Sequence, residues 1–179
     1  GRPWAATTYV EGQLLGARIA RTGPMHFNEA RPIVRGVLSS LEVLHARGLA
    51  HGNVKMENVF VVRPQSDKGP TEPTGVLVDA AADRLVSRTG TPPSAGHAGV
   101  FPVAGSAKAM APEHVRLGRA VPSADVYAVG TLLFEVLTGK QLFAGDTAAD
   151  VMARQLTTEP EAPSTVAPRG WVSKELDAI

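Results

Sequence analysis

Apolar residues recur at spacings of three and four from residue 28 to 47, where Ile33, Val34, Val37, Leu38, Leu41 and Leu44 mark one side of a helix. Gly48 stops that helix, Asn28 is placed to cap it, and Pro32 falls near its first turn. Between 126 and 137 the pattern changes: Val126, Tyr127, Val129, Leu132, Leu133, Phe134, Val136 and Leu137 cover nearly every helical direction. A helix apolar all round is a buried one, so this segment is the expected centre of the fold. Asp125, just ahead of it, is read as its N-cap, and Gly139 follows it. A further amphipathic helix is predicted over 147–156, from Thr147 to Leu156, and another begins at Ser173-Lys174. Strand signals are sparser. Residues 4–10 read as an extended segment closed by Glu11-Gly12, before a helix-like 13–21 and a break at 22–24. Val59-Phe60-Val61 and Val76-Leu77-Val78, joined by a Pro- and Gly-containing connection, read as a hairpin. The stretch 79–113 lacks periodicity and reads as a long irregular loop. The expected fold is mainly α with a small β hairpin.

Composition narrows the function classes. A chain of 179 residues with 44% apolar and 20% charged residues suits one ordinary domain with its own core. Eighteen Lys and Arg stand against 17 Asp and Glu, a net charge of +1, which disfavours a nucleic-acid surface. Cysteine is absent, so disulfides, thiolate zinc sites and cysteine nucleophiles are excluded. The longest stretch without a charged side chain, 89–107, is rich in Gly and Pro and reads as loop, so no membrane segment is expected. No signal-peptide pattern opens the chain, and a cytoplasmic location is expected. Thirteen Arg against 5 Lys, with abundant Ala, point to a bacterial source.

The chemistry-bearing residues cluster in the middle of the chain. Leu44-His45-Ala46-Arg47-Gly48-Leu49-Ala50-His51-Gly52-Asn53-Val54-Lys55-Met56-Glu57-Asn58-Val59 resembles the catalytic-loop block of eukaryotic-like (Hanks-type) serine/threonine protein kinases. Val78-Asp79-Ala80-Ala81 stands at the place of that family's Asp-Phe-Gly, and Gly105-Ser106 with Met110-Ala111-Pro112-Glu113 resembles the end of its activation segment. Ser123-Ala124-Asp125-Val126-Tyr127-Ala128-Val129-Gly130, followed by Leu137-Thr138-Gly139-Lys140 and Phe143, is similar to its central helix. The resemblance runs from a hinge-like 9–12 (Tyr9-Val10-Glu11-Gly12) through a catalytic-loop-like 51–58 and an activation-segment-like 79–113. It implies that residues 1–179 form the C-terminal lobe of a protein-kinase-like fold.

Several positions depart from the family pattern. Asn53 stands where the resemblance implies the catalytic base, and a carboxamide has no useful basicity. Gly52 replaces an arginine, and Ala80 and Ala81 replace Phe and Gly. No Gly-rich phosphate loop is present and the first lysine is Lys55, so the family's small lobe is expected to be absent from this chain. Asn58 and Asp79 match the family's magnesium ligands and are read as relics of that site. Lys55 matches the lysine of the catalytic loop, and Phe60 the apolar residue beneath adenine. His51 is read as a structural histidine, and the resemblance implies that Asp125 ties down its loop. Glu113 resembles a glutamate whose late arginine partner is not found here.

The expectation is therefore a degenerate pseudokinase: no catalytic residue, no cofactor, and a scaffold role in signalling. ATP and Mg enter only if a small lobe lies outside this chain, and the alternative is a longer kinase-like protein that binds ATP with weak or unusual transfer activity. A chain that starts just before a strand and stops inside a helix favours a piece of something longer. With the small lobe gone, Tyr9, Val10, Leu14, Leu15 and Phe60 are expected on an uncovered hinge and hairpin face used by a protein partner or for self-association, with the 147–156 helix as second candidate.

Overall fold

A computed structural model describes residues 7–63, 71–80, 107–117 and 120–178. The elements run β1 (Gln13–Leu14), α1 (Leu15–Thr22), α2 (Phe27–His45), a 3-10 turn (Met56–Asn58), β2 (Val59–Val62), β3 (Thr74–Leu77), α3 (Pro112–Leu117), α4 (Pro122–Thr138), α5 (Ala148–Thr157), α6 (Pro163–Val166) and a last 3-10 turn (Lys174–Ala178). The extended segment expected over 4–10 is partly outside the described residues, and its described part, 7–10, is not strand.

The hairpin is in fact the centre and edge of a three-stranded antiparallel sheet in the order β1-β2-β3. Gln13 and Leu14, read from sequence as the start of a helix, instead pair with Val61 and Phe60. A two-residue strand is too short to show alternation, so the pattern of the following helix masked it. Helix α2 lies on β3, and glycine makes that approach possible: a Cβ on Gly36 would run into the carbonyl oxygen of Gly75, and one on Gly75 into that of Ile33.

Helix α2 covers most of the predicted 28–47, but it begins one residue earlier, ends two residues earlier with Ala46 as its C-cap, and is capped at its start by His26, whose Nδ1 accepts from Asn28 N at 3.2 Å. Its apolar side, Ile33, Val37 and Leu41, packs against Leu132, Val136 and Leu137 of α4 in one continuous core with Leu15 and Val59. Helix α4 opens with Pro122 in its first turn and closes on Gly139 in the left-handed conformation, whose N–H reaches Glu135 O. Its burial is less complete than its composition suggests, since Val126 is 56% exposed and Leu133 half-buried. Among the described residues no helix is long and apolar enough to cross a membrane.

Candidate active site

Asp125 organises the loop at 51–58. It is not the N-cap of α4, because Pro122 starts the helix and places the carboxylate inside the first turn, 2% exposed. From there Oδ2 accepts from His51 N at 2.7 Å and Oδ1 from Gly52 N at 2.8 Å. His45 Nε2, at the end of α2, donates to Oδ2 at 2.8 Å. A carboxylate without these donors would be costly in an apolar helix; three of them engage both of its oxygens.

His51 carries the next span. Its Nε2 lies 3.0 Å from the carbonyl of Val78, and its Nδ1 accepts from Asn53 N at 3.2 Å. A carbonyl only accepts and an N–H only donates, so the ring is neutral with its proton on Nε2. Burial holds its pKa below the usual histidine value, opposed by the Val78 carbonyl and the charges of Asp125 and Asp79. The structural reading of His51 holds: the ring ties the loop to the residue preceding Asp79.

Asn58, 5% exposed, closes the loop by donating Nδ2 to Asn53 O at 2.8 Å, while its own carbonyl accepts from Val78 N at 2.9 Å. Asp79, next along the chain, is exposed and has φ 60, the one left-handed non-glycine among the described residues. The structure thus brings Asn53, Lys55, Asn58 and Asp79 to adjoining points of one rim. With Nδ2 committed to Asn53 O, the amide oxygen of Asn58 is the side-chain atom that could face a cation. No group of three or more His, Cys, Asp and Glu able to hold a metal occurs among the described residues. Gly52 has φ 78, and a Cβ there would stand 2.9 Å from Ala120 Cβ, so the site is shaped around glycine.

Beside the rim, Leu14, Phe60 and Val76 stand opposite one another across the three strands and so share a face, all half-buried. Tyr9 is 88% exposed, whereas Leu15 is fully buried in the core and is withdrawn from the uncovered face expected from sequence. Leu156 on α5 is 40% exposed. Ala81, Gly105 and Ser106 lie outside the described residues. Glu113 does have a partner, Ser123 Oγ, which donates to Oε1 at 2.8 Å.

Two features escaped the sequence reading. Burial pushes the carboxyl of Glu135 up to about 7, with Lys108 opposing the rise and Glu57 adding to it. It is the single charged side chain between 126 and 137, and that isolation was a legible signal. Gln155 of α5, which is buried and donates Nε2 to the carbonyls of Ala107 and Lys108, carried none, because one polar residue in an amphipathic helix reads as solvent-facing.

The protein kinase domain family model matches residues 4–175. The serine/threonine-protein kinase PknL of Mycobacterium tuberculosis is 33% identical over 165 residues, 92% of this chain and 38% of that protein. The kinase pkn3 of Myxococcus xanthus is 31% identical over 180 residues, 100% of this chain and 32% of its own length. PrkC of Bacillus subtilis is 31% identical over 152 residues, 84% and 21% respectively. This chain belongs to the protein kinase domain family, and these relatives are bacterial serine/threonine kinases. It spans between a fifth and two fifths of the length of these relatives.

These matches correct the expectation of a domain without enzymatic activity: proteins named as serine/threonine kinases align over most of the chain, which points to kinase activity. The scaffold role finds no support in them. Nor does the expected absence of a small lobe, since the family match runs from residue 4 to 175.

Proposed function

We propose that residues 1–179 form the large lobe of a serine/threonine protein kinase and serve transfer of the γ-phosphoryl group of ATP to a protein hydroxyl. The observation that carries the reading is the loop closed by Asp125, His51 and Asn58, which presents Asn53, Lys55, Asn58 and Asp79 together. The face of Leu14, Phe60 and Val76 offers an apolar floor for the nucleobase, and a small lobe supplies the other wall of the cleft.

Asn53 stands where the family carries an aspartate that acts as general base, and the chemistry tolerates this at a cost in rate. Phosphoryl transfer passes through a loose transition state in which positioning and charge stabilisation outweigh proton removal. The side-chain oxygen of Asn53 accepts a hydrogen bond from the incoming hydroxyl and aims it at phosphorus. The new O–P bond forms as the bond to the ADP oxygen breaks, and the hydroxyl proton passes to a phosphoryl oxygen or to water. Lys55 places its ammonium beside the transferring group. A magnesium ion, held by Asn58 and Asp79, would screen the phosphate charge when bound.

A positioned base is typically worth about a hundred- to ten-thousand-fold, so Asn53→Asp should raise the rate. The test is incorporation of radiolabelled phosphate into a mixed histone fraction by the native polypeptide, its Asn53→Asp variant and a Lys55→Ala control. Faster labelling by Asn53→Asp and loss of labelling in Lys55→Ala are expected. Incorporation by neither parent nor Asn53→Asp above the control would end this reading.

A further inference from the structure

The β1–β2 ladder ends at the pair Gln13–Val61. Continued in the same register, Gly12 and Glu11 would fall opposite Val62 and Arg63, but the pairing stops and a cleft of about 520 Å³ opens beside these residues. That is a common volume for a ligand pocket. Its apolar lining is Val61 and Val62, and its polar lining is Glu11, Gln13, Arg18 and Arg63. Gly12 keeps the two chains close: a Cβ there would stand 2.7 Å from Val61 O.

Three of the four polar side chains are set to donate. Arg21 Nη2 donates to Gln13 Oε1 at 3.2 Å, and because a guanidinium can only donate, this fixes the amide and leaves its NH2 group for another acceptor. Arg18, its side chain 22% exposed, is held by Glu29 through one nitrogen at 3.6 Å, which leaves further N–H groups of the fork for a ligand. Arg63 is exposed and has no carboxylate within 4.0 Å among the described residues, Glu11 of the same cleft included.

We propose that this cleft binds a phosphomonoester, whose terminal oxygens are shared among Arg18, Arg63 and the Gln13 amide. A carboxylate has too few oxygens for three such donors, whereas a phosphomonoester has one for each and carries close to two negative charges at neutral pH. Guanidinium forks match phosphate oxygens in both geometry and charge. Glu11 opposes the two arginines, so it weakens the hold on a dianion and keeps binding reversible. None of Asn53, Lys55, Asn58 and Asp79 lines the cleft, and the site is independent of the phosphotransfer reading. The ester is borne either by a phosphorylated protein side chain or by a small molecule.

Calorimetric titration of the native polypeptide with phenyl phosphate, and with a short alanine peptide carrying one phosphoserine, tests the site and separates these sources. At least one should bind about tenfold more tightly than its carboxylate counterpart, benzoate or the same peptide with aspartate. Tighter binding of the peptide assigns the site to phosphorylated proteins, and equal or tighter binding of phenyl phosphate assigns it to small esters; both support the proposal. Arg63→Gln changes an exposed side chain and should weaken binding about tenfold, while Glu11→Gln should tighten it about threefold, with melting temperatures unchanged. Lys55→Ala should leave the affinity as it is. Neither ligand binding, phosphate and carboxylate binding alike, or an affinity that Arg63→Gln leaves unchanged would overturn the proposal. Loss of binding in Lys55→Ala would place the phosphate on the catalytic rim and overturn it as well.

Discussion

Asn58 donates its side-chain amide to the backbone carbonyl of Asn53 at 2.8 Å, so one proposed cation ligand also sets the conformation at the residue that meets the hydroxyl. The two roles use different atoms, nitrogen for the loop and oxygen for the ion. Asn58→Ala removes both and leaves the Asn53 carbonyl short of a partner. The expected cost in stability is about 1–3 kcal/mol. Urea melts of the chain measure it without any nucleotide, and coincidence of the variant and parent curves would show that the bond does not hold the loop.

Two titrating groups should tilt stability in opposite directions. His51 is neutral when folded and its pKa lies below the unfolded 6.5, so the unfolded chain binds the extra proton. Its contribution is complete above 6.5 and is lost as pH falls through the folded value. Glu135 has a folded pKa of about 7 against 4.5 unfolded, so here the folded chain binds the proton. Its contribution is complete below 4.5 and is lost as pH rises through about 7. Glu135→Gln removes the second effect. The variant should melt higher than the parent at pH 8, and the difference should shrink toward pH 5. A difference that does not vary with pH would assign the Glu135 carboxyl an ordinary pKa.

The helices of this fold were readable because two of them carry long apolar patterns: the periodicity of Ile33, Val37 and Leu41 located α2, and the apolar density of 126–137 located α4. The loop at 51–58 was readable as a motif, together with the tie from Asp125 to the backbone of His51. What stayed hidden depends on partners distant in sequence. Strand β1 exists because β2 is there to pair with it. The cap of α2 went to His26 because its ring nitrogen, not the Asn28 side chain, reaches the exposed N–H. A carboxylate just before an apolar run usually caps the helix, but Pro122 sets the start of α4 three residues earlier and makes Asp125 a buried anchor. Leu15 and Leu14 are neighbours with opposite fates, the first in the core and the second on the sheet face, and no local pattern separates them.

Glycine substitutions in two helices should have opposite signs. A Cβ on Gly36 meets the backbone carbonyl of Gly75 and the Thr74 hydroxyl, so α2 and β3 must separate to admit it. Gly36→Ala is expected to destabilise by about 1–3 kcal/mol despite alanine's better helix propensity. A Cβ on Gly130, inside α4, meets nothing within 4 Å. Gly130→Ala should therefore stabilise by roughly 0.5–1 kcal/mol. Thermal melts of both variants decide it, and a stabilised Gly36→Ala would contradict the close approach of α2 to β3.

Adjacent leucines in α4 test where the core lies. Leu132 is 1% exposed and belongs to the cluster with Ile33, Val37 and Leu41, whereas Leu133 packs against that cluster from a half-buried position. Leu132→Ala leaves a cavity enclosed by α2 and α4, and the expected loss is about 2–5 kcal/mol. Leu133→Ala should cost less, because part of its surface already meets solvent and water can occupy the vacated space. Urea unfolding of both variants gives the comparison, provided the slopes match the parent so that the midpoints report stability alone. Equal losses would mean that Leu133 is as enclosed as Leu132. A larger loss for Leu133→Ala would place the core on the other side of α4, away from α2.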